Sequence, residues 1–202
     1  MKAVGARTGS TRTPEQTDLA FFYTDNPFAQ MNRALRGIAE TRLADSGDRG
    51  RLLALANMAA ADALMVAWRH KQTYLFWRPS TAIHEGEHDG NAATEGDPSW
   101  VPLIDDPPYP DYTSGANSLV GAIARTLTRT FGADDGPFEV TSNAPRAVLK
   151  TRTYARFPDL ADDMVDARIY QGIHFRFTDE VARRQAGQVA DWVFQHTLRR
   201  VE

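Results

Sequence analysis

The sequence predicts an all-α protein, one helical bundle interrupted by a single long irregular connection. Three observations carry this prediction. Apolar residues recur at three- and four-residue spacing through most of the chain; proline and asparagine or threonine open the periodic segments while glycine closes them; and the one run with strand character, Phe138-Glu139-Val140-Thr141, has no evident partner.

Taken in order, residues 1–13 are polar and read as a flexible N-terminal arm, so the helical domain is expected over 14–202. Thr13-Pro14-Glu15-Gln16 starts a short helix to about Tyr23, with proline at the first helical position. Asn26-Pro27 opens the next, where Phe28, Met31, Leu35 and Ile38 form an apolar stripe, and Gly47 ends the pair. From about Asp48 to Phe76 the pattern is helical and apolar on more than one side, through Leu52, Leu55, Met58, Ala59, Leu64, Met65 and Trp68. That segment is expected to be the central and most buried helix. Between Pro79 and Thr113 the punctuation changes to Asp89-Gly90-Asn91, Asp97-Pro98 and Pro107-Pro108-Tyr109-Pro110, an irregular stretch of a length that usually serves function. Helical spacing returns at Leu119, Val120, Ile123, Leu127 and Phe131 and stops at Gly132; two last helices are expected at about 159–171 and 179–199.

A length of 202 residues suits one domain with a substantial core. The net charge of −3, spread over both signs, excludes the basic surface of a non-specific nucleic-acid binder, so any anion site must be local. Without cysteine there is no disulfide, thiolate ligand or cysteine nucleophile. The richest apolar stretch, Leu52 to Trp68, is broken by Asn57 and Asp62, so no membrane span is expected. The polar start lacks the apolar core of a signal peptide, which leads to the expectation of a cytoplasmic protein.

Three separated pieces have chemical character. Lys71 and Arg78-Pro79 fall at the end of the long helix, seven residues apart, which on a continuous helix is one face two turns apart. Arginine offers a planar fork to two oxygens of a tetrahedral anion and lysine a point charge. A solvated basic helix end fits the same pair. Ser114-Gly115 stands immediately before an amphipathic helix, where a hydroxyl and unpaired backbone N–H groups suit a negative charge; a plain helix cap fits it too. In the third piece Arg168 is followed by Gly172 and then His174 among isoleucine and phenylalanine. Such a histidine is either a satisfied core residue or, beside the other pieces, a ligand or nucleophile.

Lys-x6-Arg-Pro, then Ser-Gly at a helix start, then Arg-x5-His resembles the three-part signature of the vanadium-dependent haloperoxidases and type 2 phosphatidic acid phosphatases. The words Phe76-Trp77-Arg78-Pro79-Ser80-Thr81-Ala82-Ile83 and Arg168 to Phe177 are similar to the bacterial haloperoxidase-like branch. The resemblance runs from about Thr13 onward and corresponds to the later half of the longer family protein. It implies the helical bundle of that superfamily with a long active-site loop. It implies that Lys71, Arg78 and Arg168 bind the oxygens of vanadate or phosphate, with Ser114 and the Gly115 amide adding hydrogen bonds. It further implies that His174 coordinates vanadium, with halide and hydrogen peroxide as substrates, or attacks phosphorus in a phosphate ester.

Three departures stand out. The family's Ser-Gly-His reads Ser114-Gly115-Ala116, so the acid–base histidine is absent, and general acid–base help is typically worth about 10²–10⁴ in rate. Ala167 replaces the serine before the second arginine, and Thr178 stands where the family places the aspartate that orients the histidine, with Asp179 next to it as the expected substitute. His84, His88, Asp111 and Asn117 lie near the site as conceivable replacements for the lost acid, the two histidines on a surface loop. The remaining readings are a pseudoenzyme that binds the oxyanion without turnover, or a chain that works in a homo-oligomer or with a partner.

Overall fold

The computed structural model describes residues 1–199; the last three residues of the expected 14–202 domain lie outside them. The helices are α1 (Lys2–Gly5), α2 (Pro14–Phe22), α3 (Pro27–Arg42), α4 (Ser46–Tyr74), α5 (Pro79–His84), α6 (Gly115–Phe131), α7 (Phe157–Gln171) and α8 (Arg176–His196). The starts are where the caps put them. Thr13 and Gln16 form a reciprocal capping box at α2, and Asn26 Oδ1 accepts from Ala29 N at 3.0 Å at α3.

The expected strand at 138–141 is real and it is paired. β1 (Asp135–Thr141) runs antiparallel to β2 (Thr151–Arg156), with Phe138 opposite Tyr154 and Val140 opposite Arg152. The partner was hidden because β2, Thr-Arg-Thr-Tyr-Ala-Arg, buries only Tyr154 and so shows no apolar alternation. The hairpin packs on α3, and its tip is held by Asp18, which accepts from Leu149 N and from Arg152 Nη2 (2.9 Å).

The centre of the bundle is α6, which packs against α4, α7 and α8. The expectation that the 48–76 helix is the most buried therefore needs correcting. α6 is buried without interruption from Asn117 to Ala124, because small residues let its neighbours come close. A Cβ on Gly121 would lie 3.1 Å from the Arg183 backbone of α8, whose facing side is Ala182, Ala186 and Ala190. α4 instead buries one face (Leu52, Leu55, Ala56, Ala59, Ala63, Ala67) and leaves Met65 and Trp68 exposed. The expectation that no segment is apolar enough for a bilayer is also too strict, since the stretch containing α4 passes on length and composition.

Residues 1–13 are not a free arm. Trp100 Nε1 donates to Lys2 O at 2.9 Å, Arg7 N to Val101 O at 2.8 Å and Leu103 N to Gly5 O at 2.9 Å, so the arm lies against the long connection. Gly5 also meets Gly172, and a Cβ on Gly172 would lie 2.5 Å from Gly5 O. At φ +82°, Gly172 closes α7 in the left-handed region, which only glycine adopts without cost. The turn that follows delivers His174.

Candidate oxyanion site

Lys71 is the last buried residue of α4. Arg78 does not sit one heptad further along that helix, as the spacing suggested. α4 stops at Tyr74, Leu75 turns the chain with φ 47°, and Arg78 becomes the N-cap of α5. Both cations reach the 109–111 segment, with the helix ending between them. The loop before α6 then wraps over both. Lys71 Nζ donates to Pro110 O (2.7 Å) and Asp111 O (2.8 Å), and Arg78 Nε donates to Tyr109 O (2.9 Å). Arg78 Nη1 donates to Ile173 O at 2.7 Å, joining the first piece to the third. The Tyr109 ring lies 5.1 Å from Lys71 Nζ and 5.0 Å from Arg78 Cζ, and packs on Trp68.

Ser114 caps α6, its Oγ accepting from Asn117 N at 3.4 Å and Asn117 Nδ2 at 3.3 Å. Gly115 is the first helical residue, so its N–H has no partner within the helix. Arg168, near the end of α7, donates to Gln171 Oε1 (2.7 Å) and Tyr23 O (3.4 Å). Tyr23 and Gln171 carried no signal in the sequence, because each acts here by holding an arginine rather than by a motif of its own.

His174 is buried with its two nitrogens in different company. Nε2 lies 3.5 Å from Arg78 Nη1, and Nδ1 contacts Asp111 Oδ1. Asp179, expected to hold the imidazole, does not reach it. Its Oδ1 accepts from Asn117 Nδ2 at 2.8 Å, because the first turn of α8 faces the start of α6. Asp111, weighed from sequence only as a stand-in acid, takes the histidine instead. His84 ends α5 with Nε2 at 2.7 Å from Trp100 O, so it is on a short helix rather than the expected surface loop. His88 is exposed beside Glu85, and the described residues contain no cluster of three metal-ligating side chains.

Lys71, Arg78, Arg168 and His174 are 2%, 6%, 9% and 4% exposed. Burial pushes Lys71 down to about 8, Arg78 adding to the effect while Asp111 and Asp179 oppose it. Burial likewise pushes His174 down to about 4, helped by Arg78 and Lys71 and opposed by Asp111, so the ring is neutral at ordinary pH. Burial holds Asp179 well above the usual carboxylate range. A neutral imidazole whose Nδ1 carries the proton has a lone pair on Nε2.

Several buried polar atoms here have no protein partner, among them Arg78 Nη2 and Arg168 Nε. Buried donors are almost always paired, so these orphaned guanidinium N–H groups fit an anion, although carboxylate oxygens of Asp111 and Asp179 also lack a hydrogen-bond partner here. Lys71, Gly115, Ala116, Arg168 and His174 line a common cavity of about 360 Å³, whose apolar side is formed by Phe28, Leu64, Trp68 and Leu119. Of the six residues marked from sequence, Lys71, Gly115, Arg168 and His174 line this cavity, while Arg78 stands behind it at 3.5 Å from His174 Nε2 and Ser114 caps the helix that Gly115 begins.

The chain is similar to known proteins. Residues 51–202 match the family model described as the VCPO second helical-bundle domain. Vanadium chloroperoxidase of Curvularia inaequalis is 26% identical over 243 aligned residues, which take in 91% of this chain and 39% of that protein. The solved structure of the first bacterial vanadium-dependent iodoperoxidase superposes with a TM-score of 0.79 at 28% identity, covering 93% of this chain and 44% of that one. An apo-type bacterial vanadium-dependent chloroperoxidase, with TM-score 0.58 and 17% identity, covers 89% and 47% and shares the fold. The chain spans less than half the length of each of these relatives.

Proposed function

The chain belongs to the family of the VCPO second helical-bundle domain, and from that premise we propose that it binds vanadate and uses hydrogen peroxide to oxidise halide. The observation that carries the proposal is the pair of orphaned buried guanidinium donors, Arg78 Nη2 and Arg168 Nε, beside a neutral imidazole. Lys71, Arg78 and Arg168 would hold the oxygens of the oxyanion, with the Ser114 hydroxyl and the Gly115 N–H completing the set. His174 Nε2 would coordinate the metal. Bound vanadate supplies the activation of peroxide toward halide. The protein would contribute fixed positive charge where the anion sits, on side chains that are themselves buried, which is where such charge acts most strongly. The apolar side of the cavity offers room for a halide or an organic acceptor.

Ala116 supports a second reading. It lines the cavity where the family has its proton-transferring histidine, and a methyl group moves no proton. Binding of vanadate or phosphate without turnover follows if no other group takes over. Vanadate-dependent oxidation of bromide or iodide by hydrogen peroxide, abolished in His174→Ala, is the expected result. Vanadate binding without oxidation supports the second reading, turnover of p-nitrophenyl phosphate inhibited by vanadate supports a phosphatase, and no binding at all overturns the site.

A further inference from the structure

An imidazole that must offer one nitrogen to a metal or to phosphorus needs its other N–H fixed, since that hydrogen bond decides both tautomer and ring orientation. The family resemblance directs attention to α8 for the group that does this, and α8 is engaged elsewhere. Thr178 Oγ1 donates to Phe175 O at 2.8 Å, and Asp179 Oδ1 is bound by Asn117. The carboxylate against His174 Nδ1 comes from the loop before α6. Asp111 is fully buried, and its contacts join the separate pieces of the site. Its N–H donates to Phe76 O at 2.9 Å, its carbonyl accepts from Lys71 Nζ at 2.8 Å, and its Oδ1 lies 3.9 Å from Arg78 Nη1.

We propose that Asp111 is the positioning residue of His174, a role moved from α8 to the loop that also binds Lys71, so that the carboxylate fixes the Nδ1–H tautomer and aims Nε2 into the oxyanion site. The inference rests on the proposed reading of the site, and it deepens that reading by naming what replaces the missing aspartate at position 178. It also explains why the Tyr109–Asp111 segment is threaded between the cations and the ring, because the same loop that satisfies Lys71 and Arg78 then orients the ligand.

The test is ¹⁵N NMR of histidine-labelled protein, where two-bond ¹H–¹⁵N couplings report the tautomer of each ring and His174→Ala assigns the signal. The wild type is expected to show His174 as Nδ1–H. Asp111→Ala is expected to lose that pure tautomer, whereas Asp179→Asn keeps it. Should Asp111→Ala fail to fold by circular dichroism, Asp111→Asn keeps the volume and mixes the tautomers, because an amide both donates and accepts. Inorganic vanadate, titrated by calorimetry, is expected to bind about 10–100-fold more weakly to the Asp111 variant, with partial recovery in Asp111→Glu. An Nε2–H ring in the wild type, or a ring that responds to Asp179→Asn and not to the Asp111 variants, overturns the proposal. A wild type that binds no vanadate but shows the expected tautomers overturns the proposed function and leaves the role of Asp111 standing.

Discussion

Replacing Arg168 by methionine should change the stability of the protein little and leave it unable to hold an oxyanion. Arg168 is buried, has no carboxylate within 4 Å among the described residues, feels that of Asp179 only through space, and hydrogen-bonds to Gln171 Oε1 and, at longer range, Tyr23 O. Burying an unpaired ion costs several kcal/mol even after relaxation, and replacing buried charge by a well-packed apolar side chain often stabilises by about 1–4 kcal/mol. Against this, the variant leaves Gln171 Oε1 without its donor, a loss of about 1–3 kcal/mol. The net expectation is a change between a loss of about 2 and a gain of about 3 kcal/mol, or a Tm within about 10 °C of the wild type for a chain of this size. The functional loss is larger. Two charge-assisted hydrogen bonds of about 1.5–3 kcal/mol each correspond to about 10²–10⁴ in oxyanion affinity. Thermal unfolding with and without vanadate or phosphate separates the two effects. At about 100 times its Kd the ligand stabilises the wild type by about 2.7 kcal/mol, a rise of about 5–11 °C, and the variant by less than about 0.5 kcal/mol. A variant less stable by more than about 3 kcal/mol that keeps the ligand-induced rise would refute the reasoning, since Arg168 would then be a structural cation.

Gly172→Ala adds a Cβ 2.5 Å from Gly5 O at a φ of +82°, so chemical denaturation should show a loss of about 2–4 kcal/mol. Gly187→Ala, whose Cβ meets nothing closer than 4.0 Å within α8, should instead gain about 0.5–1 kcal/mol. Sulfate keeps its charge between about pH 6 and 10, so its affinity by calorimetry should be flat up to about 8, where Lys71 begins to lose its proton, and then fall about tenfold per pH unit. In the same window the lowered Lys71 pKa makes stability rise with pH, because the unfolded chain still binds the proton that the folded chain has released. Ala116→His restores a proton-transferring group at the cavity wall and should raise vanadate-dependent halide oxidation by about 10²–10⁴, measured as initial rates at saturating peroxide.

The helices were legible because capping and periodicity agree: Thr13, Asn26 and Ser114 open α2, α3 and α6, and Gly132 and Gly172 close α6 and α7. Lys71, Arg78, Ser114, Arg168 and His174 were legible as candidates because their types and spacing match a three-part motif. What escaped was set by tertiary geometry. The docking of residues 1–13 depends on backbone bonds to Val101 and Leu103, which polar side chains do not announce. Arg78 reaches Lys71 through a left-handed Leu75, a conformation that leucine rarely adopts and that helical spacing cannot anticipate. The exchange of Asp179 for Asp111 escaped for a related reason. A carboxylate near in sequence on α8 faces α6, whereas one 63 residues before His174 faces the ring.

The account rests on convergence of three cationic side chains and one imidazole nitrogen around a single tetrahedral anion. A crystal structure after an orthovanadate soak tests this most directly. The account predicts vanadium on His174 Nε2, with oxygens bonded to Lys71, Arg78, Arg168 and the Gly115 N–H. Vanadate bound through Nδ1, or seated away from Arg78 and Arg168 with those guanidinium groups still held only by backbone carbonyls and Gln171, would contradict it.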